Sequence, residues 1–126
     1  MKKLLFTLMT LILCSCGGQV IDYDENKEYI EKKKNITYYK GTPFSGTIIK
    51  NHYENGQLKE KETYKDGKAN GPHISYHENG QLYIKGTYKD DKGVGTLEMY
   101  DEDGTVLTKG TWGDGRETPK WTPMVK

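Results

Sequence analysis

The chain has 126 residues, and its 19 Lys and Arg nearly balance 18 Asp and Glu, for a formal net charge of +1. That balance excludes the basic excess of a nucleic-acid binder, and the length holds one domain. Only 33% of residues are hydrophobic and Tyr outnumbers Phe ten to two, which excludes a deep two-layer core and favours a thin sheet held by ladders and tyrosine packing.

Met1-Lys2-Lys3 is a short positive segment, followed by an apolar run over residues 4–13 broken only by Thr7 and Thr10. A run of about ten residues is a secretory signal core, too short to cross a bilayer, which takes roughly 20. Leu13-Cys14-Ser15-Cys16 then resembles the lipobox of bacterial lipoproteins: an aliphatic residue, a tolerated second position, a small residue and a cysteine. The resemblance implies a signal peptide over 1–15, cleavage between Ser15 and Cys16, and a diacylglyceryl group on the Cys16 thiol. It also implies an acyl chain, such as palmitate, on the new amino group in many members. Two or more chains hold a protein firmly where one binds only marginally. Cys14 is the other candidate, but it would place bulky Leu13 beside the cut. Cleavage before Cys16 removes Cys14, and lipid blocks Cys16, so no thiol remains for a disulfide or a metal. The implied location is the cell envelope. Gly17 is not the aspartate that retains some lipoproteins at an inner membrane, which favours an outer membrane where one exists.

Residues 16–37 read as a charged, solvated tether. Gly17 and Gly18 are flexible, and Asp22, Asp24, Glu25, Glu28 and Glu31 mix with Lys27 and Lys32-Lys33-Lys34. A short helix over 26–34 is compatible with Tyr29 and Ile30, its only large apolar groups. Such a spacer would lift the C-terminal domain off the lipid surface.

Internal repetition governs 38–116. Tyr64, Tyr88 and Trp112 are 24 residues apart, and the same step relates Gly71 to Gly95, Tyr76 to Tyr100, and Gly56 to Gly80 and Gly104. The copies run over 39–63, 64–87 and 88–111, with a partial one at 112–116 and a tail over 117–126. Each copy reads as a β-hairpin. Asn55-Gly56, Asn79-Gly80 and Asp103-Gly104 are signals for type I′ turns, with positive φ at both central residues. The segments 65–71 and 89–95 read as wider loops. Strand alternation puts Leu82, Ile84, Gly86 and Tyr88 on one face, and Leu58, Glu60, Glu62 and Tyr64 in the same register. The expected fold is all-β: an elongated, single-layer antiparallel meander of six or seven strands. Repeated aromatics should line one face, with rings over glycine backbone.

At Tyr64-Lys65-Asp66-Gly67-Lys68-x-x-Gly71, then Tyr76-x-x-x-Gly80-x-Leu82, the chain resembles the MORN repeat. The likeness is particularly to the variant in bacterial proteins described as YwqK-type antitoxins. The resemblance implies a twisted single-layer sheet that contacts proteins or, in some eukaryotic members, membrane lipids. The antitoxin description implies a toxin partner.

No catalytic constellation emerges, and no cofactor is implied. His73 and His77 on one strand would stand roughly 13 Å apart, too far to share a metal, so they and His52 read as surface histidines. Asp101-Glu102-Asp103-Gly104 opens like a calcium loop, but Trp112 stands where its twelfth-position glutamate belongs. Ser45 and Ser75 lie in no nucleophile elbow, and no phosphate-binding loop is present. Glu60 and Glu62 beside Lys59 and Lys61 read as a salt-bridged surface. The candidate binding residues are Tyr53, Tyr64, Tyr76, Tyr88, Tyr100 and Trp112. Trp121, between Pro119 and Pro123, reads as a cap or a contact point. The leading expectation is a non-enzymatic, membrane-anchored module that binds an envelope protein or its own edge. The alternative is an envelope protein whose tyrosine-rich face contacts glycan or lipid.

Overall fold

In the computed structural model, which describes residues 18–113 and 119–123, alternating polar and apolar stretches become strands closed by two kinds of turn. Strand β1 (Gln19–Asp22) leads into a helical turn α1 (Tyr23–Asn26) and a 3-10 turn (Lys27–Tyr29). Then come β2 (Ile30–Lys33), β3 (Ile36–Tyr39) and β4 (Thr42–Pro43), which form a small antiparallel sheet. The repeats supply β5 (Gly46–His52), β6 (Leu58–Lys65), β7 (Lys68–Tyr76), β8 (Leu82–Lys89), β9 (Lys92–Tyr100) and β10 (Val106–Thr111). β11 (Lys120–Pro123) completes the chain order. The large sheet has the order β1-β5-β6-β7-β8-β9-β10-β11, with β1 parallel to β5 and every other pair antiparallel. The all-β hairpin meander read from the sequence is therefore the fold, with an extra strand on each edge and a small second sheet.

The spacer expected over 16–37 differs from the structure in its described part. Gln19–Asp22 pairs with β5, and Ile21 is only 3% exposed. The helix expected over 26–34 ends at Asn26, and residues 30–33 are a strand. The Asp22 side chain caps α1 by accepting from the Asp24 and Glu25 amides. Likewise the expected C-terminal tail contains β11, ordered by pairing with β10. Ile21, Phe44 and Ile48 form the buried core, with Ile30, Tyr39 and Tyr64 packed around them. Phe44 meets Tyr39 edge-on at 6.0 Å and Tyr64 at 6.2 Å. The small sheet thus lies on one face of the large sheet, over β5 and β6, and Ile36 comes close to Gly67 in the β6–β7 turn.

The turns reverse the expectation. In the large sheet the tight two-residue turns are Asp66-Gly67 and Asp90-Asp91, with positive φ at both residues and direct pairing of Lys65 with Lys68 and of Lys89 with Lys92. These are I′ turns. At Asn55-Gly56 only the glycine has positive φ (84°). Tyr53 N donates to Gln57 O, and Gly56 N donates to Tyr53 O. This is a β-turn followed by a left-handed glycine, and it recurs over 77–81 and 101–105. The expected wide loops are absorbed into β7 and β9 as bulges around Gly71 and Gly95, where the register shifts.

The two ends of the sheet differ in their lysines: the I′-turn end mixes lysines with Asp66, Asp90 and Asp91 at the turn tips, and the loops of the other end have none. The I′ turns sit at the end where β1 begins, flanked by Lys65, Lys68, Lys89 and Lys92, all exposed. Lys120 starts β11 at that end, and the β2–β3 turn brings Lys33 and Lys34 beside Ile36. The opposite end carries Asp22 and Asp24, then Glu54, Glu78 and Asp101-Glu102-Asp103. The three loops 53–57, 77–81 and 101–105 contain no Lys or Arg.

Candidate functional site

Strand pairing sorts the side chains of the large sheet. Ile48, Glu62, His73, Gly86, Leu97 and Gly110 line one face; Thr47, Lys61, Ile74, Lys85, Glu98 and Lys109 line the other. The first face is covered by the small sheet only near β5 and β6. From β7 to β10 the only buried residues are Gly86 and Gly110, so every side chain on that stretch keeps some contact with solvent. Gly93 lies under the ring of Trp112, Gly110 under Trp121, and Gly86 under Leu97. A Cβ at Gly93 would overlap the Trp112 ring, which is why bare backbone is needed there.

A charged cluster sits at the middle of this face. Glu60 and Glu62, two apart on β6, point the same way, and His73 on β7 is opposite Glu62. His73 Nε2 lies 3.2 Å from Glu60 Oε1, and its Nδ1 lies 3.2 Å from Glu62 Oε1. Glu62 also accepts from Lys50 Nζ and, at 2.6 Å, from Tyr64 OH. The two carboxylates raise the His73 pKa to about 9, against the opposing effect of burial. Burial pushes Glu62 upward, but hydrogen bonds from His73, Lys50 and Tyr64 outweigh it and bring it down to about 2. Burial, then Glu62, raises Tyr64. His73 therefore stays protonated and Glu62 ionised at neutral pH, a facing pair of opposite charge.

The sequence reading placed these glutamates beside Lys59 and Lys61 in a solvated surface. Those lysines lie on the other face, and Lys59 stacks over Tyr53 at 4.7 Å. The real partners come from neighbouring strands, and His73 is a half-buried member of the charge cluster rather than a solvated histidine. Strand alternation alone separates Glu60 and Glu62 from Lys59 and Lys61; naming His73 and Lys50 requires the register. Three donor atoms of Glu60, Glu62 and His73 lie within 4.8 Å of one another, as do those of Asp22, Asp24 and His52. In the first group each imidazole nitrogen already donates its own N–H to a carboxylate, so a metal would have to displace a proton from the ring.

The six aromatic candidates do not share a face. Tyr64 packs against Phe44 and the core. Tyr88 and Trp112 extend outward from the cluster: His73 to Tyr88 is 5.7 Å and Tyr88 to Trp112 is 6.0 Å between ring centres. Burial, with Glu62 and Glu60 nearby, raises Tyr88. Tyr76 and Tyr100 go with Ile74 and Glu98 onto the opposite face. There Tyr100 OH donates to Glu98, and Tyr53 OH donates to Tyr76 O at 3.0 Å. Ser15 and Cys16 lie outside the described residues. A depression of about 140 Å³ is lined by Glu62, Gly71, His73, Tyr88 and Asp91, and a cleft of about 210 Å³ lies between the sheets at Ile30, Lys50 and Tyr64. Both fall below the roughly 300 Å³ of a small-molecule pocket.

Loops of successive hairpins are stitched by a repeated bond. Asn55 Nδ2 donates to Glu78 O at 2.9 Å, and Asn79 Nδ2 donates to Glu102 O at 2.8 Å. His77 occupies in its copy the place of Tyr53, and its Nε2 donates to Tyr100 O at 2.8 Å. The profile of the MORN repeat variant matches residues 48–66 and 69–90, each a hairpin built this way. These two hairpins are MORN repeats. Comparison with curated proteins and with solved structures finds no match. The hairpin of β9 and β10 has the same loop, with Asp101 N donating to Thr105 O and Gly104 N to Asp101 O. In this third hairpin Asp103 stands in the asparagine position, and its carboxylate has no side-chain N–H to give.

Proposed function

We propose that this chain is a lipid-anchored envelope protein whose MORN sheet is a non-catalytic platform for a protein partner. The observation that carries this reading is the first face over β7 to β10, where His73, Tyr88 and Trp112 form a row of rings beside the Glu60–Glu62 carboxylates with no buried side chain around them. Aromatic and charged groups on a partly solvated surface suit protein recognition, whereas the small depressions suit no metabolite. The cluster itself supports a binding role over chemistry: a general base works best near the operating pH, and neither His73 nor Glu62 titrates near 7.

The test is crosslinking capture from intact cells of a tagged chain, beside a Tyr88→Ser/Trp112→Ser variant shown to be folded and a Cys16→Ala variant. The expected result is one protein enriched with the parent chain and lost with the aromatic variant. Cys16→Ala should also lose the lipid label and leave the membrane fraction. Equal capture by the aromatic variant would remove this face from the reading, and undiminished lipid labelling of Cys16→Ala would remove the anchor.

A further inference from the structure

One place on the first face recurs in every copy and is filled differently each time. Gly67 N donates to Phe44 O at 2.8 Å, and Asp91 N donates to Ala69 O at 2.9 Å, so Phe44 and Ala69 are equivalent residues of successive copies. One period further on, the same position is Gly93. In the first copy the Phe44 ring fills the place, 3% exposed and 6.2 Å from Tyr64. In the third the Trp112 ring lies over Gly93. In the second Ala69 supplies only a methyl group, and the depression of about 140 Å³ opens beside it, with Tyr88 standing where the first copy has Tyr64. That volume is close to the roughly 150 Å³ that admits a benzene ring, so it is the space of one planar group. Its walls carry charge where those of the first copy do not: His73 replaces Ile48, and Asp91 replaces Gly67. Among the described residues no Lys or Arg lines it. His73 commits its two N–H groups to Glu60 and Glu62. Asp91 Oδ1 accepts from Ala69 N at 2.7 Å, and a carboxylate has acceptor sites to spare on its second oxygen.

We propose that the depression beside Ala69 seats an arginine side chain of the protein partner, its guanidinium against the Tyr88 ring and within reach of the Asp91 and Glu62 carboxylates. The proposal rests on the protein-platform reading of this face and adds the residue that the partner presents. A guanidinium is planar, stacks on aromatic rings and forks its N–H groups onto carboxylates, whereas an ammonium is a compact, strongly hydrated point charge. The place asks for flatness, since a ring fills it in the first copy, and for positive charge, since its walls hold two carboxylates against one imidazolium. An apolar ring from the partner would cover the Asp91 carboxylate without pairing it.

The experiment follows backbone amide NMR signals of the full chain during titration with three probes. These are the Nα-acetyl amides of arginine, of lysine and of citrulline, the last a neutral isostere of arginine. The expected result is saturable shifts at Ala69, Gly71, Tyr88 and Asp91 with the arginine probe, and binding weaker by about fivefold or more for the other two. Asp91→Asn, which keeps the acceptor for Ala69 N, should weaken the arginine probe by a similar factor. Ala69→Phe, which restores the ring of the first copy, should abolish the shifts. Equal binding of the citrulline probe, or undiminished arginine binding by Asp91→Asn or by folded Ala69→Phe, would overturn the proposal. Partner capture reports separately on the reading beneath it. Arginine-selective binding with no protein captured would overturn the platform reading and keep the arginine site; a captured protein with no arginine preference in the titration would overturn the arginine site alone.

Discussion

His73 carries a proton between two carboxylates, and that placement sets the pH range over which the cluster stabilises the sheet. Its pKa in the fold is about 9 against an ordinary 6.5, so its contribution is complete below about 6.5 and is lost as pH rises through 9. Glu62, at about 2 against an ordinary 4.5, contributes above 4.5 and loses that contribution as pH falls through 2. The melting temperature is expected to fall from pH 6.5 to 9.5, and His73→Gln should flatten that slope while lowering stability at pH 6 by about 1–3 kcal/mol. Thermal melts of the two proteins at closely spaced pH values check this; an unchanged alkaline slope in His73→Gln would remove His73 as its source.

The hairpin shows where local signals stop being sufficient. Asn-Gly and Asp-Gly look alike as turn signals, yet Asp66-Gly67 closes a two-residue I′ turn while Asn55-Gly56 ends a longer one. The difference lies in what the asparagine does with both ends of its amide. Asn55 Oδ1 accepts from Gln57 N, and its Nδ2 reaches Glu78 O of the next copy. That second contact exists only once the copies stack, so nothing within eight residues of Asn55 announces it. At the I′ turn of the third copy, Asp91 stands at φ 66° and its Oδ1 accepts from Ala69 N. Asp91→Ala is expected to destabilise by about 1–2 kcal/mol through left-handed strain and the lost acceptor, and Asp91→Asn, which keeps the acceptor and tolerates that φ, by little. Urea titrations separate the two; equal losses would mean the Ala69 contact contributes nothing.

Across the molecule, burial is uneven. Ile21, Phe44 and Ile48 lie at one side, under the small sheet, while β7 to β11 hold by ladders and by rings laid on glycine. The repeat period made the second part legible, because every copy restates the same strands and turns. It did not reveal the first part: β1 is a four-residue strand with a single buried side chain, and the pairing that buries Ile21 runs parallel to a strand 27 residues away. Charges around it, Asp22 to Glu31, imitate a spacer. Amide exchange is accordingly expected to be slowest in β5 and β6 and progressively faster through β9 to β11, since opening from the far edge exposes little apolar surface. Uniform protection across β5 to β10 would show instead that the sheet opens as one unit.

The amide stitches between loops each join a copy only to its neighbour, and the last position is occupied by a residue that cannot extend them. Length is therefore adjustable in whole units from within the array. Doubling or excising a 24-residue copy changes the strand count by two, and the width of the sheet by roughly 9–10 Å, while leaving both edges and the terminal Asp103 as they are. The protein is in this sense a ruler marked in hairpins, whose span can drift by duplication without any new contact having to be invented.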